Sequence, residues 1–437
     1  MQKKSNYLQK MKLKKHFIFP VFLFIITIAC KTFDKRTIHQ KIQEDTNEIF
    51  DSLVEIRRDF HENPELAGNE IRTSNIIAKH LSDLGLEVKT GIAGHGVIGI
   101  LKGKNKGKNI AWRADMDALP FDLPDEVSYK SKIAGVQHGC GHDVHMAIGL
   151  GMAEVLAKNK DSINGTIYFI FQPEEEPFLG AKNIVDSDEF STMNLDEIYA
   201  LHVTALPVGQ IMVKTNELYA YQKIIQITFN KTFSKDDAET LYNKIRNEML
   251  RKNVGPNPWE IPKAFDSIIG LTNPNTIFKD YLFMNENFVL EEDKNQLQIK
   301  TELYETNKSN LPNILSKIER IISNSEYKDK FIATSYIQEN PTVLNDEILT
   351  EKSTNILNGI HENKTVVMSY GQIPYFNDDF SYFQQKVSGV YFLLGGSNRE
   401  KGIVAMNHAP NFRVDEECIK IGVESFSSLL LERTKIE

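Results

Sequence analysis

The densest chemistry in the 437-residue chain lies in one short stretch, Gln137 to His145, which reads QHGCGHDVH. It carries one thiol and three imidazoles, with a glycine on each side of the cysteine. Cys140 and His142 are two positions apart, so in an extended loop their side chains leave on the same side and can meet one ion. Gly139 and Gly141 permit backbone conformations that a side chain forbids, which lets a short loop turn its donors inward. A thiolate beside an imidazole suits zinc or a similar late first-row divalent ion. The competing reading is a loop with a buried free cysteine and scattered histidines, and the rest of the chain decides between them.

Three apolar runs end in candidate donors. NIAWR leads into RADMDALP, with Asp115 and Asp117; GTIYFIFQPEEEP sets Glu174, Glu175 and Glu176 after an almost unbroken β-branched and aromatic run; EIYAL ends as a strand at His202, before a proline and glycine loop. The second run has the look of a strand covered on both faces. In an open parallel sheet, ligands bind beyond the carboxyl ends of the strands. One such ending is explained by solvated charge; three together point to a site.

The elements that would position these residues alternate. Ile49, Leu53, Ile56 and Phe60 recur at three and four residues, predicting an amphipathic helix that stops at Asn63-Pro64. A second helix follows from about Glu70 to Leu84, then a strand near Gly96 to Lys102 and the strand NIAWR. From Asp143 to Lys158 the pattern is helical, which puts Asp143 and His145 in a first turn where the helix dipole favours a carboxylate. This alternation predicts an α/β layer domain. Between about Asn216 and Asn340 the composition shifts to lysine, asparagine and glutamate, with amphipathic strands (KIIQITF, NFVLEE, LQIKTELYE) and helices near 235–252 and 309–324. That stretch reads as a small α+β insertion with one sheet. It holds no histidine or cysteine, so it supplies no metal ligand of those types. The α/β pattern resumes with a helix near 345–357, the strands VVMSY and VYFLLGG, the segment MNHAPNF and a final helix from Asp415. The expected organisation is therefore a leader at 1–30, an α/β domain from 40–215 and 341–437, and an inserted α+β domain at 216–340.

Composition excludes some functions. The chain is 41% hydrophobic and 25% charged, ordinary for a globular protein. Six lysines and no acid precede an apolar run from Phe17 to Ala29, too short for a permanent span and laid out like a secretory signal. Cys30, directly after Ala29 in TIAC, resembles the lipobox of bacterial lipoproteins, although Thr27 stands where that box usually has Leu. Ordinary signal cleavage and an uncleaved anchor are the alternatives; in all three the chain is exported, and the lipoprotein reading anchors it at the membrane of the cell envelope. Removing the leader takes the formal charge from -8 to -14 and leaves no compact basic run, which argues against nucleic-acid binding. Cys140 and Cys418 then remain, and a disulfide between them rivals Cys140 as a ligand. The helical spacing of Cys418, Ile421, Phe426 and Leu429 gives Cys418 a core role instead.

Seven motifs in order, RRDFHENPEL, RADMDALP, QHGCGHDVH, GTIYFIFQPEEE, ALHV, DDFSYF and NHAPNFRVDEE, resemble the dinuclear-metal amidohydrolases of metallopeptidase family twenty, in the branch of hippurate hydrolase, aminoacylases and auxin-conjugate hydrolases. The resemblance runs from about Ile49 to Leu431. It implies a phosphorylase/hydrolase-like metal-binding α/β domain interrupted by a smaller α+β lid that often mediates a homodimer. It further implies that Cys140 bridges two divalent metal ions, with His142, Glu176, His202 and His408 completing the shells and Glu175 as general base. Zinc is the first choice, with manganese or cobalt accepted by similar sites. Asp115, Asp117, His138 and Asp143 match motif positions that hold ligands rather than bind metal, and His145 either orients a ligand or packs on its helix face. Glu174 is read as solvated.

Two departures bear on activity. Relatives carry a lid histidine in GGHAA-x-PH that helps hold the oxyanion, where this chain has ITFNKTFSKDDAE; an arginine of a GTLRTF-like strand is replaced in TELYET, near Tyr304. Loss of a positioned oxyanion donor costs roughly 100- to 1000-fold in rate. Asn230, Lys231 or Tyr304 are the substitutes to consider, and Phe376 in the neighbouring loop implies an altered pocket. The leading function is hydrolysis of a small N-acyl amino acid or related amide. A dipeptidase or carboxypeptidase is the alternative enzyme, and a metal-stabilised binding lipoprotein without turnover is the rival from another class.

Overall fold

The computed structural model describes residues 37–253, 255–361 and 365–436; the leader and Cys30 lie outside the described residues. The first helix, Ile38–Glu62, buries Ile42, Ile49, Leu53, Arg57 and Phe60 on one stripe. It begins eleven residues before Ile49, because the polar HQKIQEDTNE hides Ile42 from a reading of apolar spacing. It ends where Pro64 disfavours a helical Asn63. The next helix, Ile71–Asp83, has its free N–H groups met by Glu65, whose carboxylate accepts from Arg72 and Thr73 at 3.0 and 2.8 Å.

An eight-stranded sheet runs in the order 87–92, 96–102, 164–172, 105–115, 197–207, 389–397, 211–213, 366–368. Its four central strands, from 164–172 to 389–397, are mutually parallel, while 87–92 and 96–102 are antiparallel additions at one edge. The sheet is thus mixed rather than purely parallel. Helices Ile38–Glu62, His142–Lys158 and Glu417–Arg433 cover one face, where Leu53, Phe60, Ile148, Val423 and Phe426 pack with Trp112 and Phe169 in one core. Gly151 lets them close: a Cβ there would lie 2.6 Å from Leu53 Cδ1 and 2.7 Å from Val423 Cγ2. Cys418 is fully buried in this core and both described cysteines are free, so the disulfide reading is overturned. The short helices Gly180–Val185, Asp188–Met193 and Phe380–Gln384 cover the other face over Ile170, Ile198 and Tyr391.

A second, antiparallel sheet takes the order 331–338, 221–230, 296–305, 281–284, 251–252, with 289–292 also pairing 296–305. Helices Lys235–Met249 and Ile314–Ser323 pack on it through Leu241, Ile245, Ile318 and Ile322 against Ile225, Ile227 and Ile299. The strand Phe331–Gln338 leaves little mark in the sequence, because its residues are all exposed or half-buried and none is a core position. Among the described residues no helix is long and apolar enough to cross a membrane.

Candidate metal centre

The site forms where the parallel strands end. Asp115 closes the strand 105–115, which pairs with 197–207 only as far as Arg113 opposite Ala200. The strand expected to stop at His202 instead continues to Pro207, held on its other side by 389–397, with Leu393 opposite His202. Its neighbour having ended, His202 still faces the cleft. The QHGCGHDVH loop enters helix His142–Lys158 through Gly141 at φ +101, and a Cβ at that glycine would lie 2.4 Å from Val203 Cγ1. Only glycine fits this turn without moving the His202 strand.

Asp117 shapes the glutamate loop. Its two carboxylate oxygens accept the backbone N–H groups of Glu175 and Glu176 at 3.1 and 3.0 Å. Glu174, at φ +53, donates its own N–H to the buried Glu70 carboxylate at 2.9 Å and is half-buried rather than solvated. The loop is therefore anchored by backbone, leaving the Glu175 and Glu176 side chains to the cleft. His408, also at positive φ, is placed by its N–H to Gly139 O at 2.9 Å, while Asn407 donates to Cys140 O and Val203 O at 2.7 and 3.0 Å.

These supports bring the five expected ligands together. Cys140 Sγ lies 3.3 Å from His202 Nε2 and 3.1 Å from His408 Nε2. Glu176 Oε1 is 3.3 Å from His408 Nε2 and 3.9 Å from His142 Nε2, and Glu175 Oε2 is 3.8 Å from His142 Nε2. The donors fall into compact groups, among them Cys140 with His142 and His202, and Cys140 with Glu176 and His408. Cys140 is common to both.

The donor chemistry fits a pair of divalent cations. His142 donates Nδ1–H to Asp117 O at 2.7 Å and His202 donates Nδ1–H to Val203 O at 2.8 Å, which leaves each Nε2 lone pair turned inward. His142 Nε2 is buried without a hydrogen-bond partner. Burial, with Glu176 and Glu175 alongside, pushes the Cys140 thiol well above its ordinary pKa, so a thiolate here requires a cation. Burial likewise lowers His202 far below the usual imidazole range, the state in which it is a ligand. His142 is raised to about 10, its burial outweighed by Asp115 and Asp117, so a cation would bind its Nε2 by displacing a proton.

The residues expected to hold ligands divide. Asp115 accepts from His145 Nδ1 at 2.6 Å, and His145 Nε2 in turn accepts the Val203 N–H at 2.9 Å, so His145 orients the His202 strand rather than merely packing. Burial would raise the Asp115 carboxyl, but His142, Arg113 and His145 hold it well below the ordinary range. Asp143 turns away from the ligands: it pairs with Arg57 Nε at 2.7 Å and His61 Nδ1 at 2.8 Å, tying the helix start to Ile38–Glu62. His138 is buried with both ring nitrogens unpartnered, and burial lowers it to about 3. Of the three substitute lid donors, only Tyr304 reaches the cleft; Asn230 turns to Thr232 and Asp329 at the far end of its strand, and Lys231 is exposed.

Sequence reasoning missed Arg113. It is wholly buried, donating to Gln172 Oε1 at 2.7 Å, Asp115 Oδ2 at 2.6 Å and Asp379 Oδ1 at 2.8 Å, with Asp378 Oδ1 3.0 Å away. This guanidinium neutralises the acids behind Glu175. The charge of RADMD and the paired acids of NDDF were the available signal, though nothing local joins them.

Beside the donors lies a cavity of about 450 Å³, lined by Cys140, Glu175, Glu176, His202 and His408 and also by Tyr304 and Phe376. Residues 111–432 match the family described as Peptidase family M20/M25/M40. The chain belongs to that peptidase family. Among its relatives in the family, Thermostable carboxypeptidase 2 of Saccharolobus solfataricus is 32% identical over 90% of this chain and 98% of the relative. An IAA-amino acid hydrolase, ILR1-like 4 of Arabidopsis thaliana, is 28% identical over 88% and 86%. The fold of a Bacillus subtilis dinuclear metal binding peptidase from the M20 family superposes with a TM-score of 0.70 at 24% identity, covering 89% of this chain and 99% of that one. A putative aminohydrolase from methicillin resistant Staphylococcus aureus gives 0.74 at 22% identity, covering 91% and 100%. This M20/M25/M40 member is a metal-binding hydrolase of amide or peptide bonds.

Proposed function

We propose that the protein hydrolyses small linear amides, N-acyl amino acids foremost, at a dinuclear centre held by Cys140, His142, Glu176, His202 and His408, with 216–340 as its lid. The observation that carries this is Cys140 Sγ within 3.3 Å of both His202 Nε2 and His408 Nε2, shared between two donor groups. Zinc fits the thiolate and imidazoles best, with manganese or cobalt as the alternatives. When bound, the cation pair lowers the pKa of water and polarises the scissile carbonyl.

Glu175 faces the same space, and its carboxylate takes the proton from the attacking water and passes it to the leaving nitrogen. Without cations, burial with Asp378 and Glu176 nearby pushes the Glu175 carboxyl well above the ordinary range, and the positive charge of a bound cation pair would return it to the ionised form that accepts the proton. Asp117 fixes the backbone of Glu175 and Glu176 so that one carboxylate serves the cations and the other the water. Tyr304 donates its O–H to Glu302 at 2.8 Å, so it reaches the oxyanion only by leaving that partner.

Glu175→Gln tests the assignment. The variant is expected to bind two cations per chain while kcat falls by about 10²- to 10⁴-fold; retained turnover refutes the role. A carboxypeptidase activity is the second reading, favoured by the two carboxypeptidase relatives at 32% identity. Comparing N-acyl amino acids with peptides as substrates for the metal-loaded protein separates the two.

A further inference from the structure

One wall of the cavity, where Gln222, Glu302, Tyr304 and Tyr375 meet, differs in chemistry from the metal donors. Among the described residues that line the cavity none is lysine or arginine, whereas Glu302 lies in that wall beside Gln222, Tyr304 and Tyr375. Arg246, whose charge reaches Tyr375, is engaged with Met284 O at 3.1 Å and Glu286 Oε1 at 2.8 Å and does not line the cavity. A substrate carboxylate arriving here would face Glu302 with no side-chain cation to meet it.

The rings around Glu302 are built rather than incidental. Phe283 stacks on Tyr304 at 5.2 Å with 9° between planes, and Tyr375 meets the two at 5.0 and 5.5 Å. Tyr375 is held at φ +68, a backbone state disfavoured for an aromatic residue and maintained only where the surroundings impose it. The Tyr304 O–H occupies one acceptor position of the Glu302 carboxylate, which has others left for a donor. A carboxylate with acceptor positions left open beside two tyrosine rings suits an ammonium group. Leu206, Met212, Leu271, Ile373 and Leu393 line the same cavity and suit an aliphatic stem leading to that charge.

We propose that the Glu302, Tyr304 and Tyr375 wall is a specificity subsite for a cationic amine on an aliphatic chain, so that the preferred amide carries a lysine-like group on one side of the scissile bond. This rests on the hydrolytic reading above and names its substrate class.

Two matched sets test it on the metal-loaded full chain. One is N-acetyl-L-lysine, N-acetyl-L-norleucine and N-acetyl-L-glutamate; the other is 6-aminohexanoyl-, hexanoyl- and adipoyl-glycine, which place the charge on the acyl side. The cationic member is expected to exceed its neutral partner in kcat/KM by about tenfold in one of the sets, with the acidic member slowest. Glu302→Gln should bring the cationic-to-neutral ratio near one, and Glu302→Lys should turn the preference toward the acidic member. Equal rates or an acidic preference of the unaltered protein in both sets overturns the proposal, as does an unchanged ratio in both variants. Should no amide be cleaved, the hydrolytic reading falls, and calorimetry decides the subsite: L-lysine binding more tightly than L-norleucine, with the difference lost in Glu302→Gln, upholds it, and equal binding overturns it.

Discussion

Asp117→Asn isolates what the backbone clasp on the glutamate loop contributes. The aspartate accepts two N–H groups, from Glu175 at 3.1 Å and Glu176 at 3.0 Å, one on each carboxylate oxygen. Asparagine keeps the volume and one acceptor but turns an NH2 toward the other N–H, so one charge-assisted bond is exchanged for a donor facing a donor. Losing such a bond costs about 1.5–3 kcal/mol, or roughly 10- to 100-fold in an equilibrium or rate. His142 keeps its hydrogen bond to the Asp117 backbone carbonyl but loses the carboxylate charge 3.4 Å from its Nδ1. The loss should therefore fall on Glu175 and Glu176 through the loop and on His142 through the missing charge: weaker cation binding, and a lower kcat for whichever amide is turned over. Metal titration with a competing chelator, run beside steady-state kinetics, reads both. Two cations held at the original affinity, with kcat within about twofold, would refute the idea that Asp117 positions the loop; the threshold lies well below the effect expected for a lost ligand-orienting partner.

Two further predictions concern the frame of the site. Arg113→Met removes the guanidinium that pairs with Asp115, Asp378 and Asp379, and breaking a buried charge group in this way costs about 3–5 kcal/mol; a melting temperature lowered by several degrees is expected, and an unchanged one contradicts the neutralising role. Glu197 is bound by Arg433 at 2.6 Å, Lys108 at 2.7 Å and Tyr199 at 2.6 Å, and these partners, against the upward push of burial, hold its carboxyl below the ordinary range. A depressed carboxyl stabilises the fold above its unfolded pKa, about 4.3, and that contribution is lost as pH falls through the lower folded value. Glu197→Gln should thus be less stable than the unaltered protein at pH 7, with the gap closing below about pH 4; a gap that is constant with pH, measured by urea unfolding, rules this linkage out.

What the sequence shows and what it hides follow from the range of the interactions. Thr166 to Phe171 announces a central strand because every position is β-branched or aromatic, although Thr166 and Tyr168 are only half-buried, and the five donors are legible because their motifs are local. The turn at Gly141 is legible for the same reason. Arg113 and Asp379 meet across 266 residues, and Asp143 reaches His61 across 82, so neither pairing leaves a mark in its own neighbourhood. His202 illustrates a different limit: a proline and glycine after EIYAL read as a strand end, but pairing with 389–397 carries the strand on to Pro207. Likewise the 87–92 strand sits at a sheet edge with mostly exposed or half-buried residues, so no core pattern marks it.

The shared thiolate is tested most directly by counting cations on Cys140→Ala beside the unaltered chain. The unaltered protein should bind two divalent ions per chain, and because one sulfur lies against both donor groups, the variant should lose tight binding of both. Two ions held at undiminished affinity without the Cys140 sulfur would contradict the dinuclear centre described here.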